Sequence, residues 1–332
     1  MPHTSTVPPS GSPASGPSAV YCTSLGLSLL SFAGPDAEAF LQGQLSNDLD
    51  ALASGAVQLS SYNSPKGRML ATLALWRNGA DAFSALVAAD IAESLRKRLT
   101  MFVLRSKVFI VDLSPSHALV GIGGAGARDA VRAAMGAAPE AGEVDIGDEV
   151  TTIALPDGRI VVATTHARAE ALRARLATGV AEVPQDVWRW LGIRAGVPMI
   201  GAATQDLFVP QTANWDLLDG VSFHKGCYTG QEIIARTQYL GRLKERMHLF
   251  HADAPPPSPG AKLFGAVFGD QACGAVVEAA PSPDGGSDLL AVVQLSALDG
   301  ALHVGSPDGP VLASLALPYA FPVATTPHRP KM

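Results

Sequence analysis

Strand-like and helix-like segments alternate along this chain up to about residue 243, and only short strand-like segments follow. Apolar residues alternate in "GLSLLSFAG", which predicts a strand, whereas "PDAEAFLQGQL" begins with proline and acids, as helices do. After residue 243, runs such as "GAVVEAA" and "LLAVVQLSA" are separated by Pro, Gly and Asp turns. This order of elements predicts an α+β fold that ends in a small antiparallel β-barrel.

The α+β part divides into two units. In the first, the turns "NSPKG" and "RNGAD" join three predicted strands, and an amphipathic helix follows at 89–103. In the second, 107–178, two strand-and-helix groups indicate a ferredoxin-like α/β sandwich, with "KVFIVDL" as its first strand. A further helix, "VPQDVWRWLGIRAGVP", is bounded by prolines.

The chain has 332 residues, enough for two or three domains. The first 19 residues are rich in Pro, Ser and Gly and predict a disordered tail. Four segments are therefore expected. They are the tail 1–19, an α+β domain made of 20–106 with 179–243, a ferredoxin-like domain 107–178, and a barrel 244–325.

Charge and cysteine content limit the class of function. The formal net charge is −6, which argues against a surface that coats nucleic acid. No apolar run is long enough to span a membrane. The three cysteines are widely separated and form no CxxC pair, so we expect no metal site and a reduced, cytoplasmic compartment.

The segment "LVGIGGAGARDAVRAA" carries Gly121, Gly123 and Gly126 at the spacing of a dinucleotide-binding loop. Asp145 even lies near the position of a ribose-binding acid. However, a doubly wound domain needs more βαβ units than about 70 residues can hold. We therefore interpret these glycines as a sharp turn from a strand into a helix.

The stretch "FHKGCYTGQE" places Cys227 directly before a predicted helix. Thr229 and Glu232 have the spacing of a capping box, which puts the helix start near Gly230. The helix N–H groups and the charge of Lys225 would favour the thiolate and lower the pKa of Cys227. A buried and inert cysteine fits the same residues, so both alternatives stay open.

Residues around this cysteine also suggest a ligand. Gly226 would let the backbone approach a ligand closely or adopt a positive φ. Arg236, Arg242 and Lys244 near the far end of the helix could hold a carboxylate-rich tail. The alternative is a solvated helix face with cations at its C-terminal end.

Several motifs together resemble the YgfZ family, folate-binding proteins related to the aminomethyltransferase (T-protein) of glycine cleavage. "KGCYTGQE" is the most specific of them, between "VPQTANWDLLDGVSFH" and "IIARTQYLGRLKERM". "FLQGQLSNDL", "YNSPKGRML" and "GIRAGVPMIG" support it in the family's order. The resemblance covers about residues 25–250 and fits the barrel more loosely.

The resemblance implies a three-domain ring with tetrahydrofolate in a central channel. It also implies an accessory role in making or maintaining iron–sulfur proteins, including enzymes that modify tRNA, with folate and iron–sulfur clients as partners. Cys227 and Lys225 would be the active residues. The residues expected to contact folate, with Trp188 packing on it or serving only as a core residue, are Trp188, Gly226, Tyr228, Gln231, Glu232 and Arg236.

Three departures from related proteins bear on the chemistry. Aminomethyltransferases carry an acidic pair where this chain has Ala71 and Thr72, so help with proton transfer would be lost. An acid before "AG" is replaced by Arg194, and a folate-contacting aromatic is replaced by Leu27. The missing acids at Ala71, Thr72 and Arg194 make a folate-dependent aminomethyltransferase or methyltransferase the weaker alternative, whereas at Leu27 aliphatic packing would replace the aromatic contact.

Overall fold

The computed structural model describes residues 18–239 and 243–321. In this part of the chain, three β-sheets are combined with six α-helices. The helices are α1 (Ala37–Gln44), α2 (Ala89–Val103), α3 (Ala127–Met135), α4 (His166–Leu176), α5 (Gln185–Arg194) and α6 (Gln231–Tyr239). Most of the predicted tail lies outside the described residues.

The strands fall into three groups along the chain. Those before α2 are β1 (Val20–Cys22), β2 (Leu27–Ala33), β3 (Val57–Asn63), β4 (Met69–Gly79) and β5 (Ala82–Ala88). Those between α2 and α5 are β6 (Phe109–Asp112), β7 (His117–Gly123), β8 (Val144–Ile146), β9 (Val150–Ala154), β10 (Ile160–Thr165) and β11 (Ala181–Glu182). Those after α6 are β12 (Glu245–Ala252), β13 (Lys262–Gly265), β14 (Ala272–Pro281), β15 (Ser287–Gln294), β16 (Leu302–Val304) and β17 (Val311–Leu315).

The first sheet has five antiparallel strands in the order β3-β4-β5-β2-β6. Helices α1 and α2 cover one of its faces. Alternate residues of β2, Leu30 and Phe32, meet Phe40 of α1 and Leu95 of α2 in one core. The predicted strands, turns and helix bounds of this region are confirmed, and α2 has the predicted bounds 89–103.

The second sheet has six strands in the order β11-β1-β7-β10-β9-β8. Helices α3 and α4 pack on it, as predicted for the ferredoxin-like unit. The predicted boundary at 106/107 is corrected by the strand pairing. Strand β6 bonds to β2 of the first sheet, and β1 bonds to β7 of the second. The sequence did not reveal this exchange because strands adjacent in sequence usually pair with each other, and β1 and β6 depart from that tendency.

The third sheet is a closed barrel of β12-β15-β14-β13-β16-β17, which confirms the predicted C-terminal barrel. Its interior is filled by side chains such as Phe250, Leu289 and Val293, so it is a packed core. Helix α5 lies against β14 and β15 and joins the barrel to the rest of the chain. Within 18–239 and 243–321, no helix has the length and apolar character needed to cross a bilayer.

The glycines of the apparent dinucleotide loop serve close packing. A Cβ atom at Gly121 would lie 2.8 Å from the Trp188 ring, and one at Gly123 would lie 2.4 Å from Leu191. Strand β7 therefore approaches α5 too closely for side chains at these positions. This geometry agrees with a structural role for the glycines.

Candidate functional site

A cavity of about 440 Å³ lies where the first sheet, the β9–β10 turn, α5 and the segment after β17 meet. Its volume is within the range of small-molecule sites, about 300–1,000 Å³. Most lining side chains are apolar, and the polar ones are few. Among the lining residues are Leu27, Leu59, Thr72, Asp157, Arg159, Trp188, Trp215, Asp219 and Tyr319.

Two indole groups in this lining have unsatisfied N–H donors. Trp188 is 2% exposed and Trp215 is 1% exposed. Neither indole nitrogen finds an acceptor within the described part of the chain. A buried donor without an acceptor costs about 1–3 kcal/mol, so it commonly marks a group that meets a ligand or water. Both tryptophans line the cavity, so their unpartnered N–H groups belong to residues of its wall.

A second cavity of about 400 Å³ adjoins the first, because Ala88, Arg159, Trp188, Val197 and Met199 line both. The shared residues place the two cavities side by side, with Arg159 and Trp188 at their boundary. The second space is more polar than the first. Its charged lining residues are Asp90, Arg159, Arg189 and Glu278.

Glu278 is the most perturbed of these acids. Its burial raises the pKa to about 7, against the opposing effect of the charges of Arg189 and Arg159. The Arg189 Nε lies 3.8 Å from the carboxylate of Glu278. This carboxyl group therefore changes its charge near neutral pH.

Arg159 links the two cavities. Its guanidinium carbon lies 4.7 Å from the centroid of the Trp188 ring. Its Nη2 also donates to Asp157 at 2.7 Å, and both side chains of this ion pair are buried. The ion pair with Asp157 therefore holds the guanidinium group of Arg159 over the Trp188 ring.

The "KGCYTGQE" segment leads into α6, whose first residue, Gln231, confirms the predicted helix start within one residue. The predicted capping-box hydrogen bonds are wrong: no such bond of Thr229 or Glu232 is present in the described residues. Gly230 precedes the helix with φ +82, so Thr229 lies one position too early to cap it. A Cβ at Gly230 would lie 2.5 Å from the carbonyl oxygen of Ser64, in the β3–β4 turn.

Lys225 is buried, and its ammonium group donates three hydrogen bonds to backbone carbonyl groups. The acceptors are Gln42 at 2.7 Å, Leu45 at 2.8 Å and Asn47 at 2.7 Å. These carbonyls lie at and just beyond the C-terminal end of α1, where backbone acceptors lack helical partners. Burial lowers the pKa of Lys225 to about 8, although the charges of Asp48 and Asp50 oppose this.

Cys227 is exposed, whereas Cys22 and Cys273 are buried, so the inert, buried alternative for Cys227 is wrong. Its predicted thiolate stays a prediction. Gly226 does not have a positive φ, so that part of its prediction is wrong. A Cβ there would meet no protein atom within 4 Å, and its close approach to a ligand stays a prediction. Tyr228 is buried, with its ring 5.3 Å from the Lys225 ammonium.

Trp188 lines both cavities, and it is the only one of the predicted site residues in the described ranges that lines either of them. Lys225 is buried beside the end of α1, and Tyr228 is buried in the core that contains Trp190 and Ile234. Gln231 is half-buried, and the others are exposed on the signature segment and α6. The residues that line neither cavity are Lys225, Gly226, Cys227, Tyr228, Gln231, Glu232 and Arg236. Arg242 lies outside the described residues. The structure therefore separates the exposed thiol from the cavity.

The three departures noted in the sequence have different positions. Leu27 and Thr72 line the first cavity beside Trp188, as expected for a ligand site. The Thr72 hydroxyl accepts a hydrogen bond from the Ile200 backbone N–H at 3.1 Å. Arg194 instead points to the barrel, where its Nη1 lies 3.5 Å from Asp288.

Sequence reasoning missed Arg159, Trp215, Asp219 and Glu278 as lining residues. Trp215 and Asp219 lie in "NWDLLDG", a quoted motif in which the individual polar residues were not weighed. No local signal marks Arg159 or Glu278, which reach the cavities only through the fold. Elsewhere in the described ranges, no cluster of three or more His, Cys, Asp or Glu side chains is arranged to hold a metal ion.

Comparison with known proteins identifies the fold. The glycine cleavage system aminomethyltransferase T from Bartonella henselae superposes with a TM-score of 0.72, over 91% of this chain and 86% of that chain. The two sequences are 16% identical, so this likeness shows the fold alone. It confirms the predicted aminomethyltransferase type of α+β fold.

Comparison of sequences identifies the family, although no family model matches the chain. A protein of Serratia proteamaculans, described as tRNA-modifying protein YgfZ, is 32% identical over 300 residues, 88% of this chain and 90% of that protein. Relatives of the same description from Photorhabdus laumondii and Sodalis glossinidius are 34% and 30% identical over 224 and 299 residues. They cover 66% and 88% of this chain, and 67% and 90% of their own lengths. This chain belongs to the YgfZ family.

Proposed function

We propose that this protein binds tetrahydrofolate in the Trp188 cavity and acts as an accessory protein for iron–sulfur enzymes, including enzymes that modify tRNA. The observation that carries the folate part is the largely apolar cavity lined by Trp188 and Trp215, two tryptophans whose buried indole N–H groups have no acceptor in the described residues. A pterin ring has an aromatic face to pack against Trp188 and carbonyl and ring-nitrogen acceptors for such donors.

The adjoining cavities also suit the shape of a folate. The first cavity is mainly apolar and would take the pterin ring. The second contains Arg159 and Arg189, which can meet the carboxylates of the glutamate tail, although Asp90 and Glu278 lie in the same space. The charge of Glu278 would therefore affect the binding of the glutamate tail rather than the binding of the pterin ring.

Cys227 would be the group that the protein presents to its clients. It is exposed on the segment before α6, so another protein can reach it without opening the cavity. Lys66 in the β3–β4 turn and Arg236 on α6 are both exposed. Their positive charges would favour an acidic surface on the client protein. In this proposal, folate binds in the Trp188 cavity, and the Cys227 thiol acts at the protein surface.

The aminomethyltransferase alternative finds less support. The acidic pair expected from that resemblance is replaced by buried Ala71 and by Thr72, whose hydroxyl is already hydrogen-bonded to the backbone. No carboxylate is available at these positions to move a proton at the transferred carbon. Formation of methylene-tetrahydrofolate from an aminomethyl donor would revive this alternative.

A ligand titration tests the proposal. Tetrahydrofolate, NAD and S-adenosylmethionine are titrated separately by calorimetry, with the thermal unfolding midpoint as a second readout. Only tetrahydrofolate should bind and raise the midpoint. Trp188→Leu should abolish this response, because the stacking surface and the indole N–H are both lost. An absent or equal response to the three ligands would contradict the proposal.

A matched control uses the other tryptophan of α5. Trp190 is equally buried but donates its indole N–H to Asp288 at 2.7 Å and lines neither cavity. Trp190→Phe should lower stability without changing folate affinity by more than about twofold. Cys227→Ala should keep folate binding while losing complementation of a deletion strain, measured as the modified-nucleoside content of tRNA.

A further inference from the structure

Two aspartates line the Trp188 cavity, and their carboxylates differ in availability. Asp157 accepts hydrogen bonds from the Arg159 side chain at 2.9 and 2.7 Å and from its backbone N–H at 3.0 Å. Asp219 is exposed at the rim, and no group in residues 18–239 or 243–321 donates to its carboxylate. Asp219 is therefore a residue of the cavity lining whose carboxylate has no donor among the described residues.

The backbone holds Asp219 in a conformation that few residues adopt. Its φ is +55, in the left-handed region, where aspartate and asparagine are tolerated better than most residues. The next residue, Gly220, closes the turn by donating its N–H to the Trp215 carbonyl at 2.8 Å. A Cβ at Gly220 would lie 2.3 Å from the Trp215 indole nitrogen. Such strained positions concentrate at ligand sites.

Asn47 connects this rim to the signature segment. Its side-chain amide donates to the carbonyl oxygens of Asp219 at 2.6 Å and Leu59 at 2.8 Å, and both of these residues line the cavity. Its own backbone carbonyl accepts a hydrogen bond from Lys225 at 2.7 Å. Lys225 lies outside the cavity, and the single residue Asn47 connects it to the cavity wall.

We propose that Asp219 is a ligand-binding carboxylate of the cavity, and that Lys225 is a positioning residue that acts on it through Asn47. The ligand group would be the 2-amino-4-oxopyrimidine edge of a pterin, which presents two adjacent N–H donors. A carboxylate accepts both, one on each oxygen. The inference rests on the proposed folate binding and assigns the recognition of the ring to a residue that the sequence motifs did not single out.

Calorimetric titration of Asp219→Asn with tetrahydrofolate tests the carboxylate. Asparagine tolerates the left-handed conformation, so the change removes the charge with little effect on the backbone. Loss of a charge-assisted hydrogen-bond pair should weaken binding about 10- to 100-fold. Asp206→Asn is the matched control, because Asp206 has φ +59, accepts from Ser64 and lines neither cavity. Its affinity should stay within about twofold of that of the wild type.

A double-mutant cycle tests the positioning role. Lys225→Met should weaken folate binding in the wild-type background and have almost no further effect in the Asp219→Asn background. A lysine that merely supports the fold would weaken binding by the same factor in both. Asn47→Ala provides a second cycle if Lys225→Met folds poorly, because it removes the amide link and keeps the backbone carbonyl that Lys225 contacts.

The outcomes separate this inference from the proposed function. Wild-type affinity in Asp219→Asn, together with lost binding in Trp188→Leu, would overturn the role of Asp219 and leave folate binding intact. Equal factors in the two backgrounds of the cycle would overturn the positioning role of Lys225. No binding of tetrahydrofolate by the wild type would overturn both the inference and the proposed function.

Discussion

The guanidinium group of Arg159 lies over the ring of Trp188, 4.7 Å from its centroid, while it forms a buried ion pair with Asp157. The two contacts hold one side chain at the junction of both cavities. The position of the proposed stacking surface therefore depends on an arginine from the ferredoxin-like unit.

Arg159→Met should destabilise the protein by about 3–5 kcal/mol, because it leaves the buried carboxylate of Asp157 without its partner. The free energy of unfolding is measured by urea denaturation. Arg159→Met with Asp157→Leu should recover part of the loss, since no buried charge then remains. The tryptophan emission spectrum of the protein should shift in both variants, because the cation over the Trp188 ring is lost.

A surface arginine provides the control for this prediction. Arg173 pairs with Glu170 and Glu182 on an exposed face. Arg173→Met should cost less than about 1 kcal/mol, because exposed ion pairs contribute little. Equal losses in Arg159→Met and Arg173→Met would mean that the Arg159 pair is not effectively buried.

Lys225 should make stability depend on alkaline pH. Its pKa is lowered from 10.5 to about 8 in the folded protein. Between these values the unfolded chain keeps a proton that the folded chain has released, so the free energy of unfolding rises with pH. Relative to Lys225→Met, the wild type should gain up to about 3 kcal/mol between pH 7.5 and pH 10.5. Urea denaturation at several pH values checks this, and a constant difference between the two proteins would contradict it.

Local patterns in the sequence predicted most elements of the fold. The alternation in β2 and the amphipathic pattern of α2 describe one element and the face it buries, so they can be recognised without knowing the neighbours. The exchange of β1 and β6 between sheets could not be recognised in this way. It depends on which sheet edges lie open after folding, which is a property of the whole chain.

Only part of the candidate site was predicted, because contacts between distant parts of the chain leave no local pattern. Trp188 was found through a motif, and the structure places it in the cavity wall. The signature around Cys227 was expected to contact the ligand, but Lys225 instead caps α1. Its burial is set by carbonyls 178–183 residues away in the chain, and no spacing rule predicts such a contact. Arg159 and Glu278 reach the site from two other domains, so no single stretch of sequence marks them.

Glu278 should make stability depend on mildly acidic pH, with the opposite sign. Its pKa is raised from 4.5 to about 7 by burial. Between these values the folded chain holds a proton that the unfolded chain has released, so the free energy of unfolding falls as pH rises. Relative to Glu278→Gln, the wild type should lose up to about 3 kcal/mol between pH 4.5 and pH 7.5. Denaturant titrations of both proteins over this range measure the difference. A wild type that gained stability relative to Glu278→Gln as pH rises would contradict the predicted sign.

Thiol labelling should distinguish Cys227 from the other cysteines. Burial shields Cys22 and Cys273 and raises the pKa of each, whereas Cys227 is exposed. A thiolate is the reactive form, so a water-soluble disulfide reagent should label one thiol per native chain rapidly and all three only in urea. Cys227→Ser should label none rapidly in the native state and two in urea. Its stability should differ from that of the wild type by less than about 0.5 kcal/mol, as for other surface substitutions. Rapid labelling of native Cys227→Ser would show that a buried cysteine opens to solvent, and a large loss of stability would make Cys227 a structural residue.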